Sequence, residues 1–401
     1  MNTRLHFLDN LRTFSIFLVV LLHSGLVYEQ ALESQWIVID EDKNDSIGLI
    51  RMYLDVFVMF TLFFVSGYFI IPSIKRKSAR DFIIGKFKRI MVPWLVAVLT
   101  LIPAYKFIFL FSRGLPQEEW YSYFHIFQRE GGNPWNYADN PLQNWLWFLP
   151  ILFVFQLIYI AGSRINFKIK PPSLLLGALL LLVVGVVFSM IVSNAGLSGW
   201  HHSAVFHFQR ERLLIYFMTF LLGALCYEKK VFDTTAKNTK AIIWANVILT
   251  LSITIFTATA LNLFFNLIDP NREYYFVSNS IDRIAYYSTM IITMLSILYL
   301  LLASFKSRLN WTNSLLEELN KNSYYVYIIH MIVLGLVAVP LLSVSIPAFL
   351  KFLVLTILTF IISNLFVSAY KRNVEKYLSK NWIYIGVICV ALIVVFYVYQ
   401  H

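Results

Sequence analysis

Two ionisable residues stand eleven positions apart in the first apolar stretch of the chain. The segment reads Leu8-Asp9-Asn10-Leu11-Arg12, then ten residues, then His23. On an α-helix, eleven steps of about 100° make three turns plus about 20°, so Arg12 and His23 share one face, about 16 Å apart along the axis. Asp9, three residues before Arg12, lies on nearly the same face and can orient it by charge pairing. An ionisable group inside an apolar span is costly unless it meets a cavity or a partner, which makes His23 a candidate site residue. A neutral imidazole there suits general-base work. The alternative is a histidine that only hydrogen-bonds a neighbouring helix.

A second such histidine, His330, follows Asn322-Ser323-Tyr324-Tyr325-Val326-Tyr327-Ile328-Ile329. Tyr327 is three residues before it and can share its face as a hydrogen-bonded pair, so function and structural bonding both stand open here. Lys86-Phe87-Lys88-Arg89-Ile90-Met91-Val92-Pro93 places Lys86 and Arg89 on one face. With Arg12 they can form a basic mouth suited to the phosphates of a nucleotide-type cofactor. The other cations of that segment read as topology signals. Ser66-Gly67 closes the second apolar run, where small residues favour close helix packing and can also bring backbone N–H groups near a ligand.

Weaker signals lie between spans. Trp135, Tyr137, Trp145 and Trp147 surround the end of the longest loop, as sugar-facing rings or as an interfacial belt. His201, His202 and His207 cluster, yet no carboxylate or cysteine spacing supports a metal site, and none is expected. The glycine-rich, P-loop, nucleophile-elbow and zinc-protease motifs of soluble enzymes are absent.

The elements that position these residues follow from composition. Of 401 residues, 59% are apolar and only 14% charged, more apolar surface than a soluble globule can cover. The excess must face lipid, which excludes soluble enzymes, disordered chains and disulfide scaffolds. Apolar runs long enough to span a bilayer occur near 13–31, 48–71, 90–111, 144–162, 173–193, 212–228, 241–262, 282–303, 323–341, 347–369 and 382–399. The expected fold is an all-α polytopic membrane protein with about 10–11 transmembrane helices in one unit, core 8–370, and no separate soluble domain. Alternating spans put 23 of the 33 Lys and Arg on the side of the N-terminus, seven of them between 72 and 89. That side is therefore read as cytoplasmic, and the net charge of +11 reflects topology rather than a nucleic-acid partner. Cys226 and Cys389 sit in apolar runs, which argues against a disulfide framework or zinc. The first apolar run begins near Thr13 with no cleavage signal after it, so no signal peptide is expected.

Taken together, Arg12-x10-His23, the Phe-Phe-Val-Ser-Gly-Tyr run of 63–68 and Lys86-x-x-Arg89-x-x-x-Pro93 resemble the integral membrane acyltransferase-3 family. Trp145-Leu146-Trp147-Phe148-Leu149 and the Tyr-Tyr-x-Tyr-x-x-His of 324–330 do so as well, in the family's order across residues 8–330. Within that family His23-Ser24-Gly25-Leu26-Val27-Tyr28 and the stretch from Pro93 to Lys106 are similar to the glucans biosynthesis protein C branch, associated with succinyl transfer to periplasmic glucans. Other members acetylate extracytoplasmic sugars.

The resemblance implies a bacterial inner-membrane enzyme that carries a succinyl or acetyl group from acyl-CoA to an extracytoplasmic polysaccharide or glucan, in the lipid bilayer, as a monomer or an oligomer. It implies a catalytic role for His23, with His330 near the site. Arg12 takes an acyl-CoA role, helped by Lys86 and Arg89, with Ser66 and Tyr327 as further contacts. His330 or Tyr327 is a candidate for stabilising the oxyanion. No large extracytoplasmic hydrolase-like domain accompanies these spans, so transfer is expected to be direct, with a covalent acyl-histidine as the variant route. Two alternatives stand beside it: a flippase for a lipid-linked sugar, which uses the same midplane histidine and is weakened by the lack of inverted halves, or a membrane-bound O-acyltransferase whose active histidine is His330, which leaves Arg12 and His23 unexplained.

Overall fold

The structure is a computed structural model and describes residues 5–29, 36–75, 78–117, 144–164, 171–203, 205–233, 238–269 and 271–375. Thirteen α-helices follow one another: α1 His6–Gly25, α2 Asp45–Asp55, α3 Val58–Tyr68, α4 Ile70–Ile74, α5 Ala79–Lys86, α6 Val92–Ser112 and α7 Phe148–Arg164. After them come α8 Leu174–Asn194, α9 Leu213–Glu228, α10 Thr239–Ile268, α11 Asn279–Arg308, α12 Ser314–Leu341 and α13 Ala348–Tyr370. A two-stranded antiparallel hairpin, β1 Trp200–His202 with β2 His207–Gln209, is the one sheet among the described residues.

Nine helical segments among the described residues are long and apolar enough to cross a membrane. The expected span at 212–228 corresponds to α9, whose 16 residues reach about 24 Å. The protein is an all-α polytopic membrane protein. The expected span at 382–399, with Cys389, lies outside the described residues, as do Trp135 and Tyr137.

Helix starts differ from the apolar runs where polar residues are helical too. α1 begins at His6 rather than near 13, and α12 at Ser314 rather than 323. Hydropathy sees only apolar residues, whereas these polar turns are held by contacts between the two helices. Side-chain caps fix other starts: Asn44, Ser78, Ser173, Asn238, Ser278 and Asn313 each accept a backbone N–H of the first turn.

α1 is the hub of the bundle and packs on α2, α3, α11, α12 and α13. Peripheral α8 and α10 leave most of their apolar side chains exposed, as lipid-facing helices must. The Ser66-Gly67 segment proves to be a packing point. A Cβ on Gly67 would lie 1.9 Å from the carbonyl oxygen of Phe220, and one on Gly223 2.1 Å from that of Phe64. The α3 and α9 backbones therefore touch, and any larger residue at either place drives them apart. Cys226, on the same helix, is buried and free.

Candidate active site

α1 and α12 run parallel, joined at two levels. At the lower level Asn10 donates to the carbonyls of Leu309 (2.7 Å) and Trp311 (3.0 Å) and accepts from Asn320 Nδ2 at 2.7 Å. Thr13 donates to Asn320 Oδ1. Arg12 sits in this clamp: its Nη2 donates to the carbonyl of Asn320 at 3.0 Å and pairs with Asp9 at 3.3 Å, and its Nε donates to Ser323 at 3.3 Å. Asn10, Thr13, Asn320 and Ser323 thus form a clamp around Arg12 that the spacing argument did not single out.

A cavity of about 2270 Å³ opens at this level, among α1, α5, α8, α9, α10 and α11. Arg12, Lys86 and Arg89 line it together, as expected of a basic mouth. They are joined by Lys75, Lys230, Lys306 and Arg308, which sequence reasoning had left to topology, against the acids Asp9, Glu228 and Asp233. Phe64, Tyr68, Phe82 and Phe232 supply aromatic wall. Arg89 lies in a π-helical turn, Phe87–Met91, between α5 and α6, and Tyr324 of α12 donates to its carbonyl at 2.8 Å. Such widened turns re-aim side chains, here those of the basic motif. Ser66 is not among the lining residues.

The upper level holds the histidines. His23 Nδ1 and His330 Nε2 are 2.8 Å apart, their rings stacked at 5.0 Å and 14°. His330 is fully buried, and its Nδ1 lies 2.7 Å from the carbonyl oxygen of Tyr327. A carbonyl oxygen only accepts, so the proton sits on His330 Nδ1. In the neutral ring His330 Nε2 is then an acceptor, and His23 Nδ1 must donate to it. That order leaves the lone pair of His23 on Nε2, which no described group engages. His23 itself is half-buried.

Tyr327 therefore meets His330 through its backbone carbonyl, not its hydroxyl. The hydroxyl donates to the carbonyl of Trp145, and Trp145 Nε1 donates back to Ile328 at 2.8 Å. Both side chains are buried, and Tyr327 does not line the cavity. Trp147 packs against Phe63, Trp200 and Tyr216. The reading of Trp145 and Trp147 as outer-loop aromatics is thus corrected: both are buried, Trp145 as a prop of α12 and Trp147 between α3, α9 and β1, because their short 3-10 turn, Asn144–Trp147, folds into the bundle. Asp9, a candidate catalytic residue by its place on the Arg12–His23 face, pairs with Arg12 and stands about 21 Å along α1 from His23, which leaves it the orientation of Arg12.

Outside the membrane spans, burial pulls the Arg113 guanidinium down to about 10, still charged at neutral pH. Burial and then the Asp40 carboxylate raise the Tyr28 hydroxyl. His201, His202 and His207 come together on the hairpin, His202 and His207 with Nδ1 atoms 3.0 Å apart. Among the described residues no group of three His, Cys, Asp or Glu side chains is arranged to hold a metal ion.

Compared with known families, residues 5–368 match the acyltransferase domain of the acyltransferase-3 family, and the chain belongs to that family. No curated protein and no solved structure matches it.

Proposed function

We propose that this membrane acyltransferase moves a succinyl or acetyl group from cytoplasmic acyl-coenzyme A to a hydroxyl of an extracytoplasmic glycan, with His23 as general base, in a bacterial inner membrane. The observation that carries the reading is the two-level join of α1 to α12. Arg12 is clamped at a basic cavity, and His23, about 16 Å further up the same helix, keeps one ring nitrogen uncommitted.

The donor's phosphates lie against Arg12, Lys86 and Arg89, where guanidinium and ammonium groups give charge-assisted hydrogen bonds. Asp9, Asn320 and Ser323 hold Arg12 in place for them. The pantetheine arm carries the thioester toward His23. His23 does not line the cavity, so the arm reaches it by parting side chains between the two levels. An acceptor hydroxyl gives its proton to His23 Nε2 as its oxygen attacks the thioester carbonyl. The carbon–sulfur bond then breaks, and the imidazolium returns the proton to the leaving thiolate. His330 holds the His23 ring and shares the transient charge through the Nδ1–H bond.

Both nitrogens of His330 are engaged, which favours His23 over His330 as the base and disfavours the membrane-bound O-acyltransferase alternative. The test is purified His23→Gln protein with acyl-labelled coenzyme A and a soluble glucan. Glutamine keeps roughly the side-chain size and a polar amide without a base. A fall in transfer of about 10²–10⁴-fold, the usual contribution of a general base, is the expected result. A well-folded variant that retains activity removes His23 from the chemistry.

A further inference from the structure

The donor has a basic cavity and the chemistry has His23, but an acyl transfer also needs a surface that presents the acceptor. Among the described residues the His23 ring has two ring neighbours: His330, and Trp36 at 5.5 Å with the planes 32° apart. His330 is committed to holding His23. Trp36 is half-buried, and its indole Nε1–H is shielded from solvent with no hydrogen-bond partner. A buried N–H without an acceptor is disfavoured, so a ligand that supplies an oxygen there gains from it.

The chain fixes Trp36 by unusual means. Arg113 Nη2 donates to its carbonyl at 2.7 Å, and Arg113 Nη1 and Ser112 Oγ both donate to the next carbonyl, Ile37, at 3.3 Å. The Arg113 guanidinium also stacks 3.6 Å over Phe109. Ile37 is fully buried against Gly335 of α12, where a Cβ would lie 2.7 Å from it. Four residues on, Asp40 pairs with Lys351 of α13 at 2.9 Å, both side chains 5% exposed, and its N–H donates to Val27. The strap 36–44 is thus tied to the chain just beyond α1, to the end of α6 through the half-buried Arg113, to α12 through Ile37 and to α13 through the buried Lys351. Desolvating those charges is costly and positions backbone more than it adds stability.

We infer that Trp36 is the acceptor-binding wall of the His23 site, the ring on which a sugar of the glycan packs. A sugar presents an apolar C–H face that packs on an aromatic ring and hydroxyl oxygens that accept an indole N–H. Beside His23, both features hold the reacting hydroxyl within reach of Nε2. The inference rests on the acyl-transfer reading and adds the residue that binds its acceptor.

The experiment compares wild type, Trp36→Ala and Trp36→Phe with labelled succinyl-coenzyme A and a soluble β-linked gluco-oligosaccharide. It reads acceptor KM and donor KM. Trp36→Ala raises acceptor KM by roughly tenfold or more while donor KM stays near wild type. Trp36→Phe, which keeps a ring and loses the N–H, falls between the two. Unchanged acceptor KM in both variants, with an active wild type, overturns the inference and leaves the acyl-transfer reading standing. A rise of donor and acceptor KM together shows a structural role and also overturns it. A wild type that transfers nothing to any glycan removes the acyl-transfer reading, and the inference with it.

Discussion

Among the described residues, two imidazole pairs share nearly the same geometry and differ in meaning. His23 and His330 stack at 5.0 Å with nitrogens 2.8 Å apart; His202 and His207 stack at 4.8 Å with nitrogens 3.0 Å apart. The first pair joins helices 307 residues apart in sequence, on the helix that also carries Arg12. The second joins residues five apart across the hairpin. In the first, one carbonyl at Tyr327 orders every proton, so each N–H has its own acceptor and a lone pair is left at His23. In the second, His207 Nδ1 meets both His202 Nδ1 and the carbonyl of His201, at 3.0 and 3.2 Å. The His207 ring is also stacked 4.4 Å from Trp200. That crowding serves a turn. Two histidines in contact are therefore not a site by themselves; what the rest of the chain delivers to them decides.

Breaking each pair separately sharpens this contrast. His330→Ala should lower transfer by roughly 10- to 100-fold, the usual cost of losing the group that orients a functional histidine. His207→Ala should leave the rate within about twofold, as substitutions away from a site do. Steady-state kinetics of both variants in one preparation checks the pair of results, and equal losses would erase the distinction. A smaller effect, separated in kind, belongs to the lower level. Arg12→Ala should raise donor KM by roughly tenfold, the loss of a charge-assisted contact, with acceptor KM little altered.

The smallest effect concerns pH at the hairpin. Burial, then the neighbouring His202, push His207 down to about 3. Its unfolded value is about 6.5, so between these the unfolded segment binds more protons. The hairpin's stability is whole above about pH 6.5 and is lost as pH falls from there toward 3. Hydrogen exchange of the amides of 200–209, corrected for intrinsic rates, should show weaker protection at pH 5 than at pH 7.5. Equal protection would contradict it.

How far this was legible in the sequence depends on whether a signal is local. The 100° step of a helix is enough to put Arg12 and His23 on one face, and apolar runs are enough to place ten spans on helices. The Arg12–Lys86–Arg89 mouth was also readable, from spacing and charge. What escaped was pairing at long range. Asn10, Thr13 and Asn320 look like loop polar residues until α1 and α12 lie side by side. Tyr327 was expected to act through its hydroxyl because a tyrosine three residues before a histidine offers one, yet a helix also turns its carbonyl that way. Trp36 gave no signal, since its place beside His23 depends on Arg113 and Lys351, more than 70 and 300 residues away.

The most direct test uses sealed membrane vesicles of known orientation, with labelled succinyl- or acetyl-coenzyme A supplied only on the side of the N-terminus and glucan only on the other. Label on the glucan with wild type and none with His23→Ala is the predicted result, and the better donor identifies the acyl group. Label that reaches the glucan equally in both proteins, or glucan that crosses the membrane unlabelled in both, would contradict acyl transfer through His23.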